Sequence, residues 1–185
     1  VRLHPLVILG VLIGAICFWF DPFKDPGIQV SLLKLAGATL IAFTLLPSPD
    51  VRGWGETHSL NGPAWSLMQE YIANLFYAFF GRKMSKTELW IIVIISGILL
   101  TYVAVWNGHV GTGWSYTNSW IATVRMIFPF FAGLLLFRTG KLIRIPKAYT
   151  VCSIMLIILF CIPAKSFYGL YEAACIIIAF PIIVA

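Results

Sequence analysis

Long apolar stretches alternate with short polar connectors along the whole chain. A helix needs about 20 apolar residues to cross the hydrocarbon core of a bilayer. Seven stretches approach that length: 3–20, 28–46, 63–80, 88–106, 119–137, 149–162 and 168–185. The pattern therefore predicts an all-α fold, a polytopic transmembrane helix bundle with about seven membrane helices.

Two of these stretches are the least typical of a full crossing. The stretch 28–46 contains Lys34, whose ammonium group we expect to reach toward water along its own methylene stem. The stretch 149–162 is short and is closed by Pro163. Either stretch is compatible with a tilted, partial or re-entrant helix.

The composition supports a membrane protein. Of the 185 residues, 60% are hydrophobic and 11% are charged, whereas a soluble domain has about 45–50% and about 25%. The four cysteines, Cys17, Cys152, Cys161 and Cys175, lie inside apolar stretches and lack the spacing of a metal site or a disulfide framework. We interpret them as small hydrophobic residues and predict no metal.

The charges predict which connectors share a side of the membrane. The net charge is +6, and the connectors 81–87 and 138–148 hold seven basic residues: Arg82, Lys83, Lys86, Arg138, Lys141, Arg144 and Lys147. The positive-inside rule places both connectors in the cytoplasm. The uncharged connector 107–118 and the loop 47–62 then face outward, with His109 and His58. Membrane topology explains the charge without nucleic acid, and the predicted partner is the lipid bilayer.

The two ends of the chain bear on the predicted membrane topology and on the extent of the domain. Strict alternation of seven crossings would place Arg2 outside, unless the stretch 28–46 does not fully cross. The chain starts at Val1 rather than at methionine, and residues 176–185 are still strongly apolar. We therefore expect residues 1–185 to be a single membrane domain that is a fragment of a longer protein.

Three ionisable residues within the predicted spans stand out: Glu70, Arg125 and Glu172. Such a group costs about 2.5–3.5 kcal/mol to insert, so each is a candidate functional residue. At 1.5 Å per residue, Glu70 and Arg125 lie at similar depths, about 9–11 Å below the outer surface, and can meet. The alternatives are a structural ion pair or side chains that extend to water.

The stretch that carries Glu70 has one polar face. At about 100° per residue, a single stripe holds five hydrogen-bonding side chains: Ser66, Gln69, Glu70, Asn74 and Tyr77. We predict that this stripe lines a cavity that admits water or a polar ligand. The alternative is hydrogen bonding between neighbouring helices.

The same stretch carries a recognisable motif. Trp65-Ser66-Leu67-Met68-Gln69-Glu70, after Asn61-Gly62-Pro63, resembles the W-S-L-x-x-E signature of the acyltransferase-3 family of bacterial integral-membrane enzymes. Arg2-Leu3-His4-Pro5 resembles the opening of that family's third helix. The stretch 128–135, preceded by Arg125, resembles its F-F-x-G helix. The fragment would then be the central part of a longer acyltransferase-3-like domain.

This resemblance implies a membrane O-acyltransferase of the bacterial cytoplasmic (inner) membrane. An acyl group, commonly acetyl, would pass from acyl-coenzyme A to a hydroxyl of a cell-surface or lipid-linked carbohydrate. Acyl-coenzyme A would be the donor substrate, with no bound cofactor. The family's catalytic histidine would precede Val1, so the fragment is expected to be inactive alone, and His4, His58 and His109 are not expected to replace it.

The resemblance also suggests roles for the polar residues. Glu70 would be catalytic, orienting the acceptor or the missing histidine, and Arg125 would fix Glu70 or stabilise negative charge. The expected substrate-binding residues are Trp65, Ser66, Gln69, Asn74, Tyr77 and Arg125. The family often has tyrosine at the position of Asn74.

A different class of function uses the same residues. A transporter or flippase for a polar solute or glycolipid also needs buried charges, such as Glu70 and Arg125, beside proline-interrupted helices. Transporters commonly contain repeated halves, and no internal repeat is evident in this sequence.

Overall fold

The computed structural model describes residues 3–23, 27–140, 143–163 and 167–185, and these residues form helices without a strand. The helices are α1 (His4–Trp19), α2 (Leu32–Phe43), α3 (Ala64–Phe76), α4 (Lys86–Asn107), α5 (Ser119–Thr139), α6 (Ala148–Cys161), α7 (Tyr168–Ala174) and α8 (Phe180–Val184). Every predicted apolar stretch coincides with helical structure, so the all-α prediction is confirmed. The predictions for Val1, Arg2 and Lys141 lie outside the described residues.

The helices differ in whether they are long enough to cross a bilayer. Among the described residues, α4 and α5 have 22 and 21 residues and are long and apolar enough to cross, reaching about 33 and 32 Å. In contrast, α2 has 12 residues and reaches about 18 Å, well short of a hydrocarbon core. The total of seven crossings stays a prediction.

Local sequence signals set several helix ends. Ser31 begins α2 by accepting a hydrogen bond from the backbone N–H of Lys34 at 3.2 Å. Ser85 and Glu88 form a reciprocal capping box that starts α4 at Lys86, two residues earlier than predicted. Gly108 ends α4 with a φ of 76°, a left-handed conformation that glycine adopts without steric cost.

Two helices widen into π-helical turns. Helix α3 continues as a π-helix over Tyr77–Gly81, and α7 continues through a π-helix over Cys175–Ala179 into α8. A π-turn has i→i+5 hydrogen bonding and therefore breaks the 100° spacing of the preceding α-helix. The regular 100° spacing of α3 therefore holds as far as Phe76, and the placement of Tyr77 on the polar stripe stays a prediction.

The chain divides into two compact units. The N-terminal unit comprises residues 1–75 and 112–123, and the C-terminal unit comprises residues 76–111 and 124–185. In the N-terminal unit, the buried core joins α1 and α2 to the loop between α2 and α3, through residues such as Val11, Ala38, Val51 and Leu60. In the C-terminal unit, buried side chains of α4, α5 and α7 form the core, among them Leu100, Phe128 and Ala173.

Glycines allow helices and loops to approach closely. A Cβ atom on Gly14 of α1 would lie 1.8 Å from the backbone oxygen of Leu60. In the C-terminal unit, a Cβ atom on Gly169 of α7 would lie 2.0 Å from the backbone oxygen of Ala104 in α4. Neither position has room for a side chain, so these two glycines fix how near the backbones come.

The two loops predicted to face the same side bond to each other in the N-terminal unit. The backbone N–H and the hydroxyl of Thr57 both donate to the carbonyl of Trp114, at 3.0 and 2.9 Å. The hydroxyl of Tyr116 donates to the carbonyl of Ser48 at 2.7 Å. His58, placed by the sequence in an outer loop, is only 2% exposed. The loops therefore form an ordered layer with a buried interior.

The two basic connectors also bond to each other, in the C-terminal unit. The guanidinium of Arg138, in the last turn of α5, donates to the carbonyl oxygens of Gly81 and Met84. Gly81 ends the π-helical turn after α3, and Met84 lies just before α4. Arg138 thus joins the connector 81–87 to the end of α5, which begins the second basic connector.

Candidate active site

The W-S-L-x-x-E motif occupies the first two turns of α3. Pro63 stands directly before the helix, and its carbonyl accepts the Ser66 hydroxyl at 2.9 Å and the Ser66 backbone N–H at 3.2 Å. Ser66 is exposed, yet its proton is directed to the backbone of its own turn. Trp65 is half-buried. This geometry gives Ser66 a role in starting the helix and provides it with no general base.

Gln69 and Glu70 have opposite environments. Gln69 is 5% exposed, and its Oε1 accepts a hydrogen bond from the Thr123 hydroxyl in the first turns of α5 at 3.3 Å. Glu70 is exposed. The two side chains therefore have different surroundings, because packing covers only the Gln69 side of α3. That both belong to one substrate-lining face stays a prediction.

Asn74 is exposed one turn after Glu70. Its amide Nδ2 donates to the backbone carbonyl of Glu70 at 2.8 Å. The Asn74 side chain is therefore bonded to the helix backbone, as often happens with short polar side chains inside helices. The exposed part of the stripe consists of Ser66, Glu70 and Asn74, and the idea that it lines a water-filled cavity stays a prediction.

Tyr71 and His4 form a pair that the sequence did not identify. Tyr71 follows the motif glutamate, and its ring centroid lies 6.5 Å from that of His4 in α1. The Tyr71 hydroxyl is buried and has no hydrogen-bond partner. A buried hydroxyl without a partner is unusual in folded proteins and often marks a place where water or a ligand binds. Only the adjacency of Tyr71 to Glu70 could have signalled it.

Arg125 and Tyr77 belong to the C-terminal unit, whereas Glu70 belongs to the N-terminal unit. Arg125 is half-buried in α5 and interacts electrostatically with Glu172 of α7. The Tyr77 ring lies against Gly81 and has its centroid 6.5 Å from that of Phe130. Within this unit Arg125 therefore has an acidic neighbour, and Tyr77 packs among aromatic and backbone atoms.

Glu172 is itself anchored. One carboxylate oxygen accepts a hydrogen bond from the backbone N–H of Val110 at 2.6 Å, just after α4 ends. Charge-assisted hydrogen bonds of this kind are short and strong. The Glu172 carboxylate is thereby held just beyond the C-terminal end of α4.

Candidate metal ligands do not cluster in the described residues. No group of three His, Cys, Asp or Glu side chains there is arranged to hold a metal ion. The four cysteines, which all lie in described segments, are free thiols.

Comparison with known proteins identifies the family. The model of the acyltransferase domain family matches residues 2–185. "Protein 2 in picA locus" of Rhizobium radiobacter is 27% identical over 110 residues, which cover 56% of this chain and 58% of that protein. The chain thus aligns with somewhat more than half the length of this relative. No solved structure matches. Since the family match spans almost every residue, the chain belongs to the acyltransferase-3 family.

Proposed function

We propose that this chain is part of a membrane O-acyltransferase that moves an acyl group, most commonly acetyl, from acyl-coenzyme A to a carbohydrate hydroxyl. The observation that carries the proposal is the family match over residues 2–185, which includes the W-S-L-x-x-E motif. The acceptor would be a cell-surface or lipid-linked glycan. The structure supports the proposal by leaving the Glu70 side chain exposed on α3.

The reaction needs a base, a positioned acceptor and a stabilised oxyanion. The acceptor hydroxyl attacks the thioester carbonyl and loses its proton, and the sulfur of coenzyme A leaves with the bonding electron pair. Glu70 would accept a hydrogen bond from the acceptor hydroxyl or orient the histidine that removes its proton. The bond between Gln69 and Thr123 supports this role, because it limits rotation of α3 and so directs Glu70 away from the core.

Arg125 would stabilise negative charge as the tetrahedral intermediate forms. Its guanidinium is permanently charged and half-buried, where an electrostatic interaction is stronger than in water. Trp65 and Ser66 would shape the acceptor side of the pocket, with Gln69, Asn74 and Tyr77 as further substrate-binding residues. The acyl-coenzyme A donor would come from the cytoplasm.

The loop contacts support the proposed placement in the bacterial inner membrane. Arg138 joins the two basic connectors, and Thr57 joins the two loops predicted to face outward. If the positive-inside rule has placed both loops of each pair on the same side of the membrane, contacts within each pair are expected. The basic connectors would then face the cytoplasm, where the phosphates of acyl-coenzyme A arrive.

A partial crossing by the short α2 would resolve the conflict over Arg2. Ile28, before the helix, lies close to Gly53 in the loop after it, since a Cβ atom on Gly53 would be 3.6 Å from the Ile28 Cδ1 atom. A re-entrant or surface-lying α2 would let α1 run outward from the cytoplasm. Arg2 would then start in the cytoplasm, as the positive-inside rule favours.

The test uses the full-length protein in isolated membranes with radiolabelled acetyl-coenzyme A. Wild type is expected to label glycan, and Glu70→Gln is expected to lower the rate by about 10²–10⁴-fold, the usual contribution of an acid–base group. Glu88→Gln is the matched control, because glutamine preserves the capping box at the start of α4.

Two results would contradict the proposal. A wild-type rate for Glu70→Gln at normal protein levels would remove Glu70 from the reaction. Flux of a polar solute or glycolipid across the membrane without any labelling would favour the transporter instead.

A further inference from the structure

A large cavity lies in the N-terminal unit, away from the W-S-L-x-x-E motif. Its volume is 590 Å³, and it is bounded by the end of α1, the turn that follows α1 and the loop between α2 and α3. The lining includes Ile16, Phe20, Asp21, Phe23, Arg52 and Trp54. One arginine and one aspartate therefore face a space that is otherwise mostly hydrophobic.

The loop that presents Arg52 and Trp54 is held by Asp50. One carboxylate oxygen of Asp50 accepts from the backbone N–H groups of Arg52 and Gly53 at 2.9 and 3.1 Å, and the other accepts from Gly55 at 2.6 Å. The Arg52 guanidinium carbon lies 5.5 Å from the centroid of the Trp54 ring, a cation–π geometry. The two side chains are consequently positioned before any ligand arrives.

The polar groups of the cavity have unused hydrogen-bonding capacity. Arg52 lines the cavity, and its guanidinium carries several N–H donors; the Nε atom itself is buried and has no hydrogen-bond partner. Asp21 accepts one hydrogen bond, from the backbone N–H of Phe23 at 2.9 Å. A carboxylate can accept several more. The cavity thus offers a donor and an acceptor to the same ligand.

The hydrophobic side of the cavity is open. Phe20 and Phe23 are 75% and 93% exposed, and Trp54 is 63% exposed. Large exposed apolar side chains next to a polar cavity favour an amphiphilic ligand. Tryptophan is also enriched where the hydrocarbon core meets the head groups. A hydrocarbon chain can cover the two phenylalanines while its head group enters the cavity.

The local charge selects the head group. Arg52 interacts electrostatically with Glu56, and Asp21 lines the same cavity, so the guanidinium shares this region with acidic side chains. A purely anionic head group would meet repulsion from these carboxylates. A head group with both a phosphate and an ammonium matches both signs of charge.

We propose that this cavity binds a phospholipid whose head group joins a phosphodiester to a primary ammonium, as in ethanolamine lipids. The phosphodiester accepts hydrogen bonds from the guanidinium of Arg52, the ammonium donates to Asp21, and the acyl chains lie on Phe20 and Phe23. This inference rests on the membrane location proposed above and is independent of the acyl-transfer chemistry.

The test measures lipid binding to the purified full-length protein in nonionic detergent. Short-chain phosphatidylethanolamine, phosphatidylcholine and phosphatidylglycerol are titrated separately, together with tail-free phosphoethanolamine. Phosphatidylethanolamine is expected to bind at least tenfold more tightly than the other two lipids, because only its ammonium donates hydrogen bonds without adding net charge. Phosphoethanolamine is expected to bind at least tenfold more weakly than its lipid.

Variants separate the two polar contacts. Arg52→Gln should weaken the binding of all three lipids, and Arg52→Lys should recover only part of the loss, because an ammonium cannot form the paired hydrogen bonds of a planar guanidinium. Asp21→Asn keeps an oxygen for the Phe23 N–H and should abolish the preference for phosphatidylethanolamine alone. Arg82→Gln, at an exposed arginine in the C-terminal unit, is the control and should bind like wild type.

Specific results would overturn the inference. Equal affinity of the wild type for the three lipids would refute the head-group assignment, and unchanged binding by a folded Arg52→Gln variant would refute the site. Unweakened binding of phosphoethanolamine would indicate a soluble phosphate ligand in place of a lipid. The lipid-binding assay does not measure acyl transfer, so a protein without acyl-transfer activity would still give the expected binding results. Extraction of membranes at alkaline pH tests separately whether the protein is integral to the membrane.

Discussion

The hydroxyl of Thr123 donates a hydrogen bond to the side-chain oxygen of Gln69 at 3.3 Å, and this contact lies next to the motif residue Glu70. It links the first turns of α5 to α3 across 54 positions of sequence. Gln69 is buried, so its amide depends on such a partner. The pair therefore constrains the rotation of α3 from the Gln69 side, about 100° around the helix from Glu70.

Removing this hydrogen bond should loosen α3 by a small, measurable amount. Thr123→Val keeps the shape of the side chain and leaves the Gln69 oxygen unpaired, at an expected cost of about 1–3 kcal/mol. Gln69→Leu with Thr123→Val should cost less than the sum of the single changes. A double-mutant cycle by thermal unfolding in detergent measures the coupling, and strictly additive effects would show that the contact contributes nothing.

Replacing Tyr71 with phenylalanine should separate stability from activity. The Tyr71 hydroxyl is buried without a partner, so its removal should leave the free energy of unfolding unchanged or raise it by about 1 kcal/mol. A fall in the acyl-transfer rate of the full-length protein would then show that a reactant or bound water uses this hydroxyl. A marked loss of stability would contradict the conclusion that the Tyr71 hydroxyl has no hydrogen-bond partner.

The electrostatic pair of Arg125 and Glu172 allows the structural and catalytic roles of Arg125 to be distinguished. Glu172→Gln keeps an oxygen for the Val110 N–H and removes the charge. If Arg125 serves only as its ion-pair partner, Arg125→Gln combined with Glu172→Gln should restore the stability lost in either single variant. We expect stability to recover in this way while acyl transfer stays at least tenfold low. Recovery of both stability and acyl transfer in the double variant would mean that Arg125 has a structural role only.

The buried histidine predicts a pH dependence. Burial lowers the pKa of His58 below its ordinary value of 6.5, while the Leu45 carbonyl, which accepts from its Nε2 at 3.1 Å, raises it in part. Between the folded and unfolded pKa values the unfolded chain binds more protons. Stability should therefore fall as the pH decreases below about 6.5, and level off below the folded pKa.

Comparison with His58→Gln isolates this effect in thermal unfolding measured from pH 7.5 downward. Glu56 acts in the opposite direction, because burial raises its pKa, with Arg52 lowering it and Asp50 raising it. Its contribution to stability is present at low pH and is lost as the pH rises through its folded pKa. It remains in both proteins, so a pH profile of His58→Gln identical to that of wild type would refute the role of His58.

Adding a methyl group at Gly14 should disrupt the N-terminal unit. The new Cβ atom would lie 1.8 Å from the backbone oxygen of Leu60, so α1 or the loop must shift, at a cost of about 1–3 kcal/mol or more. Gly37→Ala in α2 is the matched control, because its Cβ atom would meet nothing within 4 Å. This control should stabilise by about 0.5–1 kcal/mol. Equal melting temperatures for the two variants would contradict the close approach.

The helices could be predicted well from the sequence because an apolar stretch of fixed length has few alternatives in a bilayer. The predicted stretch 119–137 differs from α5 by two residues at one end, and 3–20 differs from α1 by one residue at each end. The partial crossing considered for 28–46 also agrees with the 12 residues of α2. Apolar length and local capping signals carry this information directly.

The site was less predictable because it depends on which neighbour covers each side of a helix. A helical projection places Gln69 and Glu70 close together, yet Thr123 packs only against the first of them. The π-helical turn at Tyr77 also changes the register in a way that no single residue signals. The orphaned Tyr71 hydroxyl and the bonds between Thr57 and Trp114 arise from tertiary contacts, which apolar patterning does not encode.

The pairing of Thr57 with Trp114 also constrains how the protein is made. The two residues are 57 positions apart, with α3 and α4 between them. At about 5–20 residues per second, a ribosome takes roughly 3–11 s to add that length. The N-terminal unit therefore stays incomplete until α3 and α4 have been synthesised. During that interval its unfinished loop is exposed to quality-control proteases, so slowed translation downstream of α3 should lower the yield of protein whose mature stability is unaltered.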